Sequence, residues 1–170
     1  MQISAKTWNE YITRLSRLNQ KAGQLMRDYI DRHGTADTAD LIAYAYGLVT
    51  KYGEGSAELA CQMYDALAEA QGALVPAAEP AETASYNEVA RMVNATKDQN
   101  PANLPNGVSR LVKRAGADTS LRNAARGGAE WAWVPHGDTC PFCITLASNG
   151  WQNASDKVLK GGHAQHIHAN

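Results

Sequence analysis

Residues 4–34 read SAKTWNEYITRLSRLNQKAGQLMRDYIDRHG, and within them Trp8, Tyr11, Leu15, Leu18, Ala22, Leu25 and Tyr29 recur at alternating intervals of three and four. That period puts all seven on one stripe of an α-helix. Ile12, Met26 and Ile30 widen the stripe into a face. Ser4 is placed to cap the start of the helix, and Gly34, after His33, to stop it. The spacing predicts one amphipathic helix of roughly three heptads, with Arg14, Arg17, Lys21, Arg27 and Arg32 mostly off the seam. An apolar stripe of this length needs partners, and the following segments are its first candidates.

From about Thr38 to Tyr52 a second helix is expected, apolar on most sides through Leu41, Ile42, Tyr44, Ala45, Leu48 and Val49, and therefore the most buried. Gly53-Glu54-Gly55 reads as a break, with Ser56 capping a third helix that runs to about Gln71. Short turns make such helices antiparallel neighbours. Gly72 to Glu82, with Pro76, Pro80 and several alanines, has no period and reads as a linker or extended arm. Beyond it a short helix is expected from Tyr86 to about Thr96, closed by Asp98-Gln99-Asn100-Pro101 and Pro105-Asn106-Gly107. A further helix is read from Ser109 to Ala125, interrupted at Gly116.

After Gly127-Gly128 the pattern changes. Trp131-Ala132-Trp133-Val134-Pro135 alternates like a short strand, and one short helix is expected near Cys143 to Ser148. The tail has too few aliphatic residues for its own core. The expected organisation is a helical region over 1–72, a Pro/Ala-rich linker or arm over 73–83, a basic helical region over 84–126, and a small Cys/His module over 127–170. The fold class is mainly α: an N-terminal helical bundle or set of helical hairpins, followed by a small irregular α+β module.

Composition bounds what such a chain can be. Its 170 residues fit one domain, or one with an appendage, and 44% apolar with 19% charged residues excludes a wholly disordered chain. Three cysteines and an opening without an apolar stretch disfavour a secreted disulfide scaffold. The longest apolar run, Leu41 to Val49, falls well short of the roughly 20 residues needed to span a membrane. A soluble protein of a reducing cytoplasm is expected. The net charge of −1 conceals blocks: six basic and three acidic residues over 1–34, one and eight over 35–83, seven and three over 84–126.

The chemistry-bearing residues crowd into the tail. Cys140-Pro141-Phe142-Cys143 is followed, after 19 residues, by His163, His166 and His168. Two thiolates three positions apart can face one zinc ion, with histidine nitrogens completing the set, and ligation would supply the cohesion that the tail's composition lacks. The bland alternative is a pair of buried or free cysteines beside a histidine-rich turn. Thiol-disulfide exchange is a further reading, although such motifs ordinarily follow a strand in an alternating strand-helix pattern. A zinc deaminase would need His-x-Glu and Pro-Cys-x-x-Cys, and neither is present. A metal-dependent nuclease using His166 or His168 would lack a recognisable completing carboxylate. Arg110, Lys113, Arg114, Arg122 and Arg126 form the other notable set. On a continuous helix 110, 114, 122 and 126 are expected near one face, where they could meet nucleic acid or an acidic protein surface; a solvated helix face is the plainer reading. Cys61 reads as a small buried residue.

Trp133-Val134-Pro135, Gly137-Asp138-Thr139-Cys140-Pro141-Phe142-Cys143, Leu146-Ala147-Ser148-Asn149-Gly150 and His168-Ala169-Asn170 together resemble the end of phage minor head proteins of the Mu F-like head morphogenesis group. Members carry Cys-Pro-x-Cys, a short helix ending in glycine, then His-x-x-Cys-x-Cys. About 40 residues are covered. Against that pattern the chain stops at Asn170, where the first cysteine of the terminal pair is expected, so the resemblance implies a truncated chain and a zinc site that is either incomplete or completed by His163 or His166 in place of the missing thiols. It further implies a non-enzymatic virion component inside the phage head, made in the host cytoplasm and associated with the portal in procapsid assembly or genome delivery. Portal protein, scaffold or major capsid protein would be its partners, with packaged DNA as a further contact, and no membrane or small-molecule substrate is implied. An enzyme, either a small thiol oxidoreductase or a metal-dependent nuclease, is the competing expectation.

Overall fold

The computed structural model describes residues 4–132 together with Thr145, Ser148, Gln152 and Asn153. Its first element, α1, spans Ala5–His33. The Ser4 hydroxyl accepts from the Thr7 amide at 3.1 Å, and the Gly34 amide donates to the Ile30 carbonyl at 2.7 Å, with Gly34 at φ 70°. At 29 residues α1 exceeds the expected three heptads, because Ala5-Lys6-Thr7 and Ile30–His33 extend the helix beyond the seam at both ends.

Where two helices were expected, the chain builds one. Helix α2 runs unbroken over Thr38–Gln71, capped by Asp37 and closed by Gly72 in the left-handed conformation at φ 64°. Gly53-Glu54-Gly55 does not break it. Each glycine costs the helix about 1 kcal/mol relative to alanine, and close packing supplies the reason for accepting that cost. A Cβ on Gly53 would lie 2.9 Å from Thr83 Cγ2, and one on Gly55 would lie 3.4 Å from Leu18 Cδ1. Ser56 is accordingly no cap. It sits in mid-helix, wholly buried, with its hydroxyl against Gly116.

Residues 73–85 are extended, as their lack of period implied, but they are pinned along their length as a strap against α2 and the final helix. Helix α3, Tyr86–Lys97, opens with a capping box in which Ser85 and Glu88 satisfy each other's backbone amides. A 3-10 turn at Pro101–Asn103 leads into α4, Leu104–Gly127. Two expectations fail in α4. Pro105-Asn106-Gly107 is not a turn but its first turn, where proline's missing N–H has no intrahelical partner to lose. Gly116 does not interrupt it, because it is the point of closest approach to α2: a Cβ there would lie 2.6 Å from Ser56 Oγ and 3.1 Å from the Ser56 carbonyl oxygen.

Helix α4 packs on both earlier helices. Its contacts Ser109 with Asn19, and Pro105 with Gly23, run it antiparallel to α1, whereas Ala115 with Gly53, Gly116 with Ser56 and Gly127 with Tyr64 run it parallel to α2. The strap and α3 complete an up-down-up-down arrangement, antiparallel to α4 from Asn123 beside Glu79 to Gly107 beside Met92. One rod of this bundle is therefore half extended chain and half helix. Met26, Leu41, Val49, Val89, Val93, Leu104, Val108 and Val112 are fully buried at its centre; each contributes about 1.5–3 kcal/mol of transfer free energy. Tyr29 stacks on Tyr44 at 4.1 Å, and Tyr46 meets Tyr86 edge-on at 5.4 Å.

Beyond Gly128, Glu130–Trp131 (β1) pairs antiparallel with Gln152–Asn153 (β2); of the strand expected over 131–135, Trp131 lies in β1, Ala132 does not, and the rest falls outside the described residues. Of the short helix expected near Cys143 to Ser148, Thr145 and Ser148 alone are described residues. The remainder of the tail reading lies outside the described residues. Among those described, no helix is long and apolar enough to cross a membrane.

Candidate partner-binding surface

The five cations singled out on α4 have different neighbours. Arg114 Nη2 donates to Glu88 Oε1 at 2.9 Å, and its Nε lies 3.7 Å from Asp118 Oδ2. Glu88 also accepts from the Ser85 amide at 2.9 Å, and chiefly this bond, with help from Arg114 and against burial, holds its carboxyl below the ordinary range. Asp118 moves the other way, raised by burial despite Arg114. Burial also lowers the Lys113 ammonium. Arg114 thus ties α3 to α4.

Arg126 ties the strap to α4. Its Nη2 donates to Glu79 Oε1 at 2.8 Å and its Nη1 to Asn123 Oδ1 at 3.0 Å. Asn123, 1% exposed, grips the backbone of residue 79 on both sides: Nδ2 donates to the Glu79 carbonyl at 2.8 Å and Oδ1 accepts from the Glu79 amide at 2.9 Å. Thr119 Oγ1 accepts from the Ala81 amide at 2.9 Å, and Asp65 Oδ1 from the Ala78 amide at 3.0 Å. Three polar side chains do for the strap what a neighbouring strand would do in a sheet.

Arg110 and Arg122 remain exposed, with no ion pair among the described residues. The set does not form one stripe, since 100° per residue turns Arg126 about 160° away from Arg110. A denser cationic face lies on α1, where Arg14, Arg17 and Lys21 are all exposed. The sequence contained its signal, because no acidic residue occurs between Tyr11 and Arg27. Next to that face, Lys51, Glu54, Glu58 and Glu82 border a shallow cleft of about 700 Å³ between α2 and the strap, and Gln62 bridges the two, donating to Glu58 Oε1 at 3.1 Å and accepting from Arg14 Nη1 at 3.5 Å.

Cys140, Cys143, His163, His166 and His168 lie outside the described residues. Among those described, no group of three His, Cys, Asp or Glu is placed to hold a metal. Cys61 is buried, as expected, and its thiol is pushed up by burial and by the nearby Glu58 and Asp65, the opposite of a reactive thiolate.

A family model described as VG15 protein matches residues 2–170, almost the whole chain. No curated protein and no solved structure matches it.

Proposed function

The chain belongs to the VG15 protein family, a family of viral proteins, and from that premise we propose that it is a non-enzymatic structural protein of a phage. Its role in this reading is that of a minor head component inside the virion, associated with the portal and acting in procapsid assembly or genome delivery. The observation that carries the proposal is the coincidence of two signals: a viral family over residues 2–170, and a tail whose Cys-Pro-Phe-Cys, Leu-Ala-Ser-Asn-Gly and terminal histidine resemble the sequence of minor head proteins.

The four-helix body supplies a rigid platform for such a role. Polar groups with backbone partners and small residues at close approach fix its shape, while charged residues on α1, α2 and α4 face outward for contacts with portal, scaffold, capsid subunits or packaged DNA. Zinc suits the tail's donor set: Cys140 and Cys143 would supply thiolates and His163, His166 or His168 the remaining nitrogen ligands, holding an α+β module together by ligation.

Co-expression with the portal protein tests the assembly role. Co-purification of the two in a defined ratio is the expected result, and a chain that ignores portal, scaffold and capsid proteins alike would overturn it. Metal analysis of the purified chain tests the tail, with about one zinc per chain expected and lost on Cys140→Ser/Cys143→Ser.

A further inference from the structure

We infer that the strap, residues 73–85, is a removable occupant of its groove, and that the groove is a docking seat for an extended segment of a partner protein that carries a carboxylate among small residues and prolines. The seat is formed by Gly53 and Ala57 of α2 and by Ala115, Thr119 and Asn123 of α4, all of them buried. Its polar groups address the main chain of what lies in it. Asn123 takes both the amide and the carbonyl of residue 79, Thr119 the amide of residue 81, and Asp65 at the rim the amide of residue 78. Arg126 adds the one demand on a side chain, its 2.8 Å ion pair with Glu79. Main-chain bonds of this kind accept any sequence that can lie extended and is small where the groove is tight.

The strap is weakly anchored in return. Of residues 73–85 only Ala84 is buried, while Leu74 is wholly exposed and Pro76, Ala77, Glu79, Pro80 and Glu82 are exposed as well. A segment retained for stability alone anchors itself through apolar side chains, as α3 does through Val89 and Val93. The shallow cleft also lies open between residues 80–83 and α2, so the strap resists opening less than the helices do. Its length lets it leave. The chain from Gln71 to Thr83 reaches about 40 Å when extended, whereas α2 rises about 27 Å over the same interval, from Gly53 to Gln71. The strap can therefore bow out while the helices stay packed.

Addition of a strand to the strap's own edge is closed off. Pro76 and Pro80 have no N–H to offer, and the amides of residues 78, 79 and 81 are already taken by side chains. A partner segment gains these main-chain bonds only by taking the strap's place. The inference is independent of the portal association proposed above.

The test is fluorescence anisotropy with a labelled peptide of the strap's own sequence, residues 73–85, the segment seated in the groove. Ala78→Pro/Ala81→Pro in the full chain removes the two strap amides that Asp65 and Thr119 accept and leaves the seat intact. That variant should bind the peptide saturably, and the wild-type chain should bind it more weakly by about tenfold or more, because its seat is filled. Asn123→Ala added to the variant should abolish binding. So should Glu79→Pro in the peptide, which removes both the amide that Asn123 accepts and the carboxylate that Arg126 pairs. In the wild-type chain, excess unlabelled peptide should speed hydrogen exchange of the Glu79 and Ala81 amides and leave Val108 and Val112 unchanged, a result that does not depend on the proline variant folding. A folded variant that does not bind, equal binding by variant and wild type, binding that survives Asn123→Ala, or exchange unaffected by the peptide would each overturn the inference.

Discussion

Replacing Asn123 by alanine isolates the side chain that fastens the strap. The amide makes four hydrogen bonds, but they differ in what their loss leaves behind. Its bond to the Thr119 carbonyl duplicates the helix's own i to i+4 pairing, and Arg126 keeps Glu79 Oε1 when its bond to Asn123 Oδ1 goes. The two bonds to residue 79 have no substitute among the described residues. Each is worth about 1 kcal/mol net, and more where the backbone group left behind stays out of water. Glu79 lies at the surface, so water recovers part of this cost, and alanine's higher helix propensity returns about 0.5 kcal/mol. A net loss of about 1–2 kcal/mol follows, a fall of about 0.5–1 M in the urea midpoint for a chain of this size. Hydrogen exchange locates the effect. The Glu79 and Ala81 amides should exchange faster than those of Val108 and Val112 by a wider margin than in the wild type, because the strap lifts before the bundle opens. A loss under about 0.5 kcal/mol, with Glu79 protection unchanged, would refute the claim that Asn123 holds the strap.

Gly116→Ala and Gly47→Ala separate helix propensity from packing, since nothing lies within 4 Å of a Cβ on Gly47: the first should lose about 1 kcal/mol net and the second gain about 0.5–1, a difference read from thermal midpoints and contradicted if Gly116→Ala is the more stable. Glu88→Gln keeps a capping side chain but removes the charge, and with the pair a quarter to a third exposed the loss at pH 7 should be about 0.5–1 kcal/mol. Because the folded-state pKa of Glu88 is depressed, its stabilisation is complete above the unfolded value of about 4.3 and is lost as pH falls through the folded value; urea midpoints of variant and wild type should therefore converge in acid, and a constant gap would exclude the charge as the cause. Asn19 is 3% exposed and neither its side-chain amide nitrogen nor its side-chain amide oxygen has a partner among the described residues, so Asn19→Leu should raise stability by about 1–2 kcal/mol by chemical denaturation, and destabilisation would show that the amide is satisfied in solution.

Elements whose evidence is local were readable without the fold. The seam from Trp8 to Tyr29, the Ser4 cap and the Gly34 stop are all read from neighbours three and four residues apart, and α1 forms as they dictate. Tyr86–Lys97 and the extended 73–85 segment were legible for the same reason. The Cys/His motif was equally legible as a pattern, and family membership agrees with the viral class that the motif suggested, at a coarser level than the minor head role.

Whether a glycine ends a helix or lets another element approach depends on long-range packing. Gly53, Gly55 and Gly116 carry the same local signal as Gly34 and Gly72, yet the first three lie inside helices because Thr83, Leu18 and Ser56 occupy the space a side chain would need. Charge followed the same rule. Arg114 and Arg126 were indistinguishable in sequence from Arg110 and Arg122, until the fold brought Glu88 from 26 residues away and Glu79 from 47. Local periodicity fixes which face of a helix is apolar; which residues meet across those faces depends on contacts tens of residues apart, which no short window of sequence contains.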